Sequence, residues 1–168
     1  MSFSPVPKYA FLNTTDISAE FLKKLGVDFL MLDLDNTLAR YGENTLREDM
    51  ARWAATLRES GISLFIVSNS HKRGRVSAFS NELGTRYVNA AGKPSPSGVL
   101  HAMEISGADK KASALVGDQV YTDAMAANRA GVISITVRPL KIKNPLLAVR
   151  YFFEMPFRLA CKNKMWSK

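Results

Sequence analysis

The chain has 168 residues, 46% hydrophobic and 23% charged, which suits one soluble domain with a full-sized core. Its single cysteine, Cys161, excludes an internal disulfide and a cysteine-based zinc cluster, and points to a reducing compartment. The net charge of +8 is concentrated at one end: residues 1–137 carry 15 Lys/Arg against 14 Asp/Glu, and residues 138–168 carry 8 against Glu154 alone, unlike a nucleic-acid binder that spreads basic residues over its folded body.

Met1 to Leu12 holds Ser4, Pro5, Pro7 and Lys8 and no apolar stretch of the signal-peptide kind. No apolar run is long enough to span a bilayer, so a cytoplasmic protein is expected. Asp16 reads as an N-cap, with Phe21, Leu22 and Leu25 on one helical face and Gly26 closing it. Phe29 to Leu34 is an apolar run that reads as a buried strand and ends in Asp33 and Asp35. Thr45 and Glu48 have capping-box spacing, ahead of a helix with Leu46, Met50, Trp53 and Leu57 on one stripe and Gly61 as its stop.

Ile62 to Val67 is a second buried strand, ending in Ser68-Asn69-Ser70. A helix over 75–83 follows, with Val76, Phe79 and Leu83 inward and Gly84 as its stop, then a short edge strand at Arg86 to Val88. Lys93-Pro94-Ser95-Pro96 opens the next helix, with Ser95 as N-cap and Pro96 at the first helical position. Ala112 to Val116 is a third core strand ending in Gly117-Asp118, a helix over 122–130 stops at Gly131, and Val132 to Val137 is the last strand. Strands alternating with helices predict an α/β fold with right-handed crossovers and a parallel sheet.

Parallel strands bring their C-terminal ends to one edge of a sheet, where α/β proteins bind ligands. Asp33, Asp35, Ser68, Asn69 and Asp118 therefore converge there, with Lys93 in a loop within reach. Two anionic side chains at such an edge are costly to desolvate unless a cation lies between them. Asp33, Asp35, Asp118 and Asp123 are hard oxygen ligands without a His or Cys cluster, which favours Mg²⁺ over zinc. A carboxylate beside a metal can attack phosphorus, a second carboxylate can protonate the leaving oxygen and activate water, and an amine and a hydroxyl can hold phosphoryl oxygens.

Asp33-Leu34-Asp35-Asn36-Thr37 resembles the first motif of the haloacid dehalogenase (HAD) superfamily. Ser68 resembles its second, Lys93 its third, and Gly117-Asp118 with Asp123 its fourth, in the right order over Phe29 to Gly131. The resemblance implies a Rossmannoid three-layer sandwich: a mostly parallel central sheet with helices on both faces. It implies Asp33 as nucleophile, Asp35 as acid/base, and Mg²⁺ held by Asp33, the Asp35 carbonyl and Asp118, with Asp123 acting through water. The intervals between the motifs are too short for a cap domain, so the chain resembles the open subclass IIIA phosphatases. Asp35 to Leu38, Gly117-Asp118-Gln119 and Thr122-Asp123 look most like the YqeG-like branch, which is similar to phosphatidylglycerophosphate phosphatases.

The expected enzyme is thus a phosphomonoester hydrolase with phosphatidylglycerophosphate as leading substrate, placed at the inner membrane face. A soluble sugar phosphate, nucleotide or phosphoprotein is the enzymatic alternative, and a non-catalytic binding module is the rival class. Arg73, in His71-Lys72-Arg73-Gly74-Arg75, fits either a distal phosphate or a solvated helix start, and Arg129 fits either substrate binding or a helix end; Asn69 is a further substrate-binding candidate. His101 is expected away from any ligand, and Cys161 is assigned no chemistry.

Residues 1–137 are expected to form the core domain and 138–168 a basic, aromatic-rich segment. There Asn144-Pro145 looks like a helix start, Arg150, Glu154 and Arg158 form a polar stripe, aromatic and aliphatic residues surround it, and Pro156 is expected to break or kink the helix. That segment reads equally as a helix packed on the sheet, with Lys162, Lys164 and Lys168 solvated, or as an interfacial element on anionic lipid.

Overall fold

The computed structural model describes residues 4–142 and 145–165. Met1 to Phe3 of the N-terminal stretch, Asn144 and Lys168 lie outside the described residues. Seven strands form one sheet: β1 (Tyr9–Ala10), β2 (Phe29–Leu32), β3 (Ser63–Val67), β4 (Arg86–Val88), β5 (Ser113–Gly117), β6 (Ile133–Thr136) and β7 (Asn163–Lys164). Their spatial order is β4-β3-β2-β5-β6-β1-β7, and every pair is parallel. The helices are α1 (Ala19–Lys24), α2 (Glu48–Glu59), α3 (Arg73–Leu83), α4 (Ser97–Ser106), α5 (Met125–Ala130) and α6 (Pro145–Ala160).

The period-two alternation of β2 builds the layers. Leu30 and Leu32 face one core with Leu22 of α1, Met50, Trp53 and Leu57 of α2, and Phe79 of α3. Phe29 and Met31 face the other, with Val99 and Met103 of α4 and Ala126, Ala127 and Ala130 of α5. All four β2 side chains are buried, and each fully buried large apolar side chain contributes about 1.5–3 kcal/mol. Trp53 is satisfied inside the core because its Nε1–H donates to the Ile17 carbonyl at 2.8 Å. The expected α/β sandwich with a central parallel sheet is borne out. Among the described residues, the intervals β2–β3, β3–β4 and β4–β5 each hold only one α-helix and its loops, apart from a short 3₁₀ turn before β5, so none folds as a cap.

Several local expectations are corrected. The cap of α1 is Ser18, whose hydroxyl accepts from the Phe21 N–H at 3.1 Å, while the Asp16 carboxylate accepts from the Asn13 N–H in the preceding turn. The Thr45–Glu48 capping box does not form: the Leu46 N–H is taken by Glu82, and Glu48 pairs with Arg52. Helix α4 starts at Ser97, one residue later than Ser95 and Pro96 suggested, although the Ser95 hydroxyl still accepts from the Ser97 N–H at 3.3 Å. Helix α3 starts earlier, at Arg73. The expected helix over 122–130 begins with a wide π turn, Val120–Ala124, before α5.

At the C-terminus, Pro156 does not end α6, since it sits on the exposed side and the helix runs on to Ala160. β6 is not the last strand, because β7 follows α6 and pairs with β1, which itself pairs with β6. His101 is exposed beside Glu104, as expected.

Candidate active site

Register brings the polar strand ends level. Leu32 of β2 stands opposite Ile66 of β3 and Val116 of β5, so the next residues are Asp33, Val67-Ser68 and Gly117-Asp118. The Asp33 N–H still donates to the Val116 carbonyl at 2.9 Å, which fixes its backbone to the sheet beyond the last strand residue. Past Asp35 the chain turns through Asn36, at φ 62°, whose N–H donates to the Ala39 carbonyl at 2.7 Å. Asparagine tolerates that left-handed conformation better than most residues, which accounts for Asn between Asp35 and Thr37.

Lys93 arrives from the loop after β4. Its backbone is clamped by the Asn69 side chain, which donates to the Lys93 carbonyl and accepts from the Lys93 N–H, both at 2.9 Å. The buried ammonium then reaches Asp33 Oδ1 at 2.6 Å, Asp123 Oδ1 at 2.7 Å and the Val67 carbonyl at 2.7 Å. Asp123 lies directly against Gly117: a Cβ there would stand 2.2 Å from the Asp123 carboxyl carbon. The Asp123 Oδ2 accepts from the Gln119 N–H at 3.1 Å. Ser68 is buried with its hydroxyl accepting from the Ser70 N–H at 3.1 Å.

Asp33, Asp118 and Asp123 each offer an oxygen within 4.8 Å of the other two, and all three are buried. Burial pushes Asp33 up to about 7, a rise that Asp123 reinforces and Lys93 opposes. Asp118 is likewise raised, by burial and then by Asp123 and Asp33. Burial pulls Lys93 down, but Asp123 and Asp33 outweigh it and hold it firmly protonated. Three carboxylates against one ammonium leave two negative charges uncompensated when all three are ionised, and the buried Asp118 Oδ1 has no hydrogen-bond partner. An all-oxygen set with an orphaned carboxylate oxygen fits a hard divalent cation.

Asp35 is held differently. Arg75 Nη1 lies 2.8 Å from its carboxylate, while Nε donates to the Glu43 carbonyl at 3.0 Å and Nη2 to the Arg40 carbonyl at 3.2 Å. One guanidinium thus ties Asp35 and the loop after it to α3. Tyr41 of that loop spans the opening to hydrogen-bond Gln119, and burial with Asp118 nearby raises its hydroxyl to about 12. The pocket has a volume of about 180 Å³. It shares Asp35, Tyr41, Asn69 and Ser70 with an adjoining groove of about 920 Å³, lined further by His71 and Lys72.

Of the residues expected here, Asp33, Asp35, Ser68, Asn69, Lys93, Asp118 and Asp123 come together. Two do not. The Arg73 guanidinium is exposed and lies 3.4 Å from the Tyr87 hydroxyl, and Arg129 donates to the Pro94 carbonyl at 2.9 Å. Arg129 therefore braces the loop that carries Lys93. Sequence reasoning missed Arg150, a pocket-lining residue of α6. Its i, i+4 relation to Glu154 was the available signal.

The HAD-like hydrolase family model matches residues 8–131. "Probable phosphatase YqeG" of Bacillus subtilis is 34% identical over 128 residues, covering 76% of this chain and 74% of that protein. An uncharacterized protein from Listeria monocytogenes shares the fold at a TM-score of 0.56, with 13% identity, over 78% of this chain and 98% of its own. A putative 3-deoxy-D-manno-octulosonate 8-phosphate phosphatase from Vibrio cholerae does so at 0.54, with 16% identity, over 77% and 75%. The chain belongs to the haloacid dehalogenase-like hydrolase family. The enzyme class expected from the sequence, a HAD-type phosphatase, is borne out, and YqeG is its named relative.

Proposed function

We propose that the chain is a Mg²⁺-dependent phosphomonoesterase that works through an aspartyl-phosphate on Asp33. The observation that carries this reading is the buried cluster of Asp33, Asp118 and Asp123, in which Lys93 bridges Asp33 and Asp123 and which is two charges short of neutrality when ionised. Asp33 is the nucleophile: its carboxylate oxygen bonds to phosphorus as the ester oxygen leaves. Asp35 delivers a proton to that leaving oxygen, then takes one from the water that cleaves the acyl phosphate. Lys93 and the Ser68 hydroxyl hold phosphoryl oxygens, and Asn69 keeps the lysine in position. Asp33, the Asp35 carbonyl, Asp118 and Asp123 would hold the magnesium ion, which would supply charge screening between the nucleophile and the phosphoryl oxygens.

The substrate in this reading is phosphatidylglycerophosphate, converted to phosphatidylglycerol by an enzyme resting on the inner membrane face. Residues 1–137 supply the Asp33 cluster, and the exposed apolar residues of α6 supply the lipid-facing surface. Support comes from α6, where Leu146, Val149, Phe152, Phe153 and Leu159 are exposed, beside a net charge of +7 in residues 138–168. Exposed apolar side chains in a basic segment suit an anionic bilayer surface. Among the described residues no helix is long and apolar enough to cross a membrane, so the contact in this reading is peripheral.

The test is Mg²⁺-dependent phosphate release from phosphatidylglycerophosphate in mixed micelles against a panel of soluble phosphomonoesters. Strong preference for the lipid is expected. Turnover of soluble esters alone would remove the lipid and keep the chemistry; no release from any ester would favour a binding module.

A further inference from the structure

Helix α6 turns its polar stripe inward. Glu154 is 1% exposed and Arg158 5%, whereas Phe152 and Phe153 on the opposite side face out. The stripe is anchored to the metal edge of the site: Arg158 donates to the carbonyls of Val137 and Asp118, and Glu154 accepts from Arg158 and from the Tyr121 N–H. Tyr121 adds a second tie through its hydroxyl, which donates to the Phe153 carbonyl at 3.0 Å. These bonds fix the rotation of α6 about its axis, and with it the direction of Arg150, one turn before Glu154.

Arg150 has one satisfied edge. Its Nε lies 3.4 Å from Glu154, but Nη2 is buried and donates to no acceptor. The side chain lines the pocket that contains Asp33, Lys93 and Asp123. A buried guanidinium N–H without an acceptor is costly, so its partner is to be sought in what the pocket binds. Asp118, within electrostatic range of Arg150, is not that partner, since its own Oδ1 is also unpaired. Charge leads to the same partner. Lys93 and a divalent cation only neutralise the three carboxylates, so a phosphate dianion entering the pocket needs cationic groups beyond them. Arg75 is committed to Asp35, and among the described residues lining the pocket Arg150 is the remaining cation.

We propose that Arg150, carried in from the C-terminal helix, binds an oxygen of the phosphoryl group in the Asp33 pocket, with Glu154 as its positioning residue. The inference rests on the phosphatase reading for its substrate, but not for its binding test. The helix that sequence patterning separates from the core is then part of the site, and substrate affinity depends on how α6 is seated.

The experiment compares wild type with Arg150→Met and Arg150→Lys by calorimetric titration of inorganic phosphate in the presence of Mg²⁺, by KM and kcat on a soluble ester, and by thermal unfolding. Arg150→Met is expected to weaken phosphate binding and raise KM by about 10- to 100-fold, as suits the loss of a charge-assisted hydrogen bond. Arg150→Lys should recover part of the loss, and the melting temperature should stay close to wild type. Unchanged phosphate affinity in Arg150→Met, with or without a fall in melting temperature, would overturn the assignment and leave Arg150 a structural ion pair. If wild type binds phosphate but hydrolyses no ester, the phosphatase reading falls while the titration still decides the role of Arg150.

Discussion

In the proposed reaction Asp33 combines two opposed demands: it is buried, and it must be ionised to attack. Replacing it by Asn keeps the shape, removes the nucleophile, and relieves a carboxylate that burial and Asp123 disfavour. Turnover should fall by roughly 10⁴-fold or more with the fold retained, as checked by phosphate release and circular dichroism. Gly117 makes a second residue-scale case. Gly117→Ala would drive a Cβ into Asp123, and displacing this proposed metal ligand by about 1 Å is expected to cost roughly 100-fold in activity, with a matching loss of metal affinity. Normal activity in that variant would mean that Asp123 has freedom the packing denies it. The first of these residues was legible in the sequence, because an apolar run ending in two aspartates is costly without a cation. The Gly117 constraint was not, since it depends on how closely the π turn brings Asp123 back onto β5.

Elements were legible where apolar period and length agreed. β2, β3 and β5 read correctly to within two residues because their side chains face two cores. β1 and β7 hold two residues each, too few for any pattern, and are defined only by pairing with each other and β6. The α4 start was misplaced by one residue because Ser95 and Pro96 compete for the cap. Helix α6 inverts the usual rule, with Glu154 and Arg158 inside and Phe152 and Phe153 outside. The inversion has an energetic consequence. Removing Arg158 leaves the buried Glu154 carboxylate with only Arg150 and the Tyr121 N–H and frees the carbonyls of Asp118 and Val137, so Arg158→Met should destabilise the protein by about 3 kcal/mol in denaturant unfolding. The outward face should behave oppositely. Phe152→Ser with Phe153→Ser is expected to leave stability and soluble-ester turnover unchanged and to weaken binding to anionic vesicles, read by co-sedimentation.

For the molecule as a whole, the fold concentrates negative charge at one end of the sheet and positive charge in the C-terminal segment. The site's affinity for metal is therefore coupled to pH. Without metal, Asp33 titrates near 7 and Asp118 above its usual range, so below about pH 7 a proton must leave before a cation can bind. Mg²⁺ affinity should rise as pH increases from about 6 to 8, by up to about tenfold per unit for each proton displaced, with proton release measurable by calorimetry in two buffers. An affinity flat across that range would mean that the carboxylates are already ionised.

Phosphoryl transfer through Asp33 is open to direct test by acid-quenched single turnover. Enzyme with Mg²⁺ is mixed with a phosphorus-labelled ester, quenched within one turnover, digested and mapped by mass spectrometry. An acid-stable phosphoryl group is expected on the peptide containing Asp33, absent from Asp33→Asn. Full turnover with no labelled peptide, or undiminished turnover by Asp33→Asn, would contradict it and point to direct attack by water.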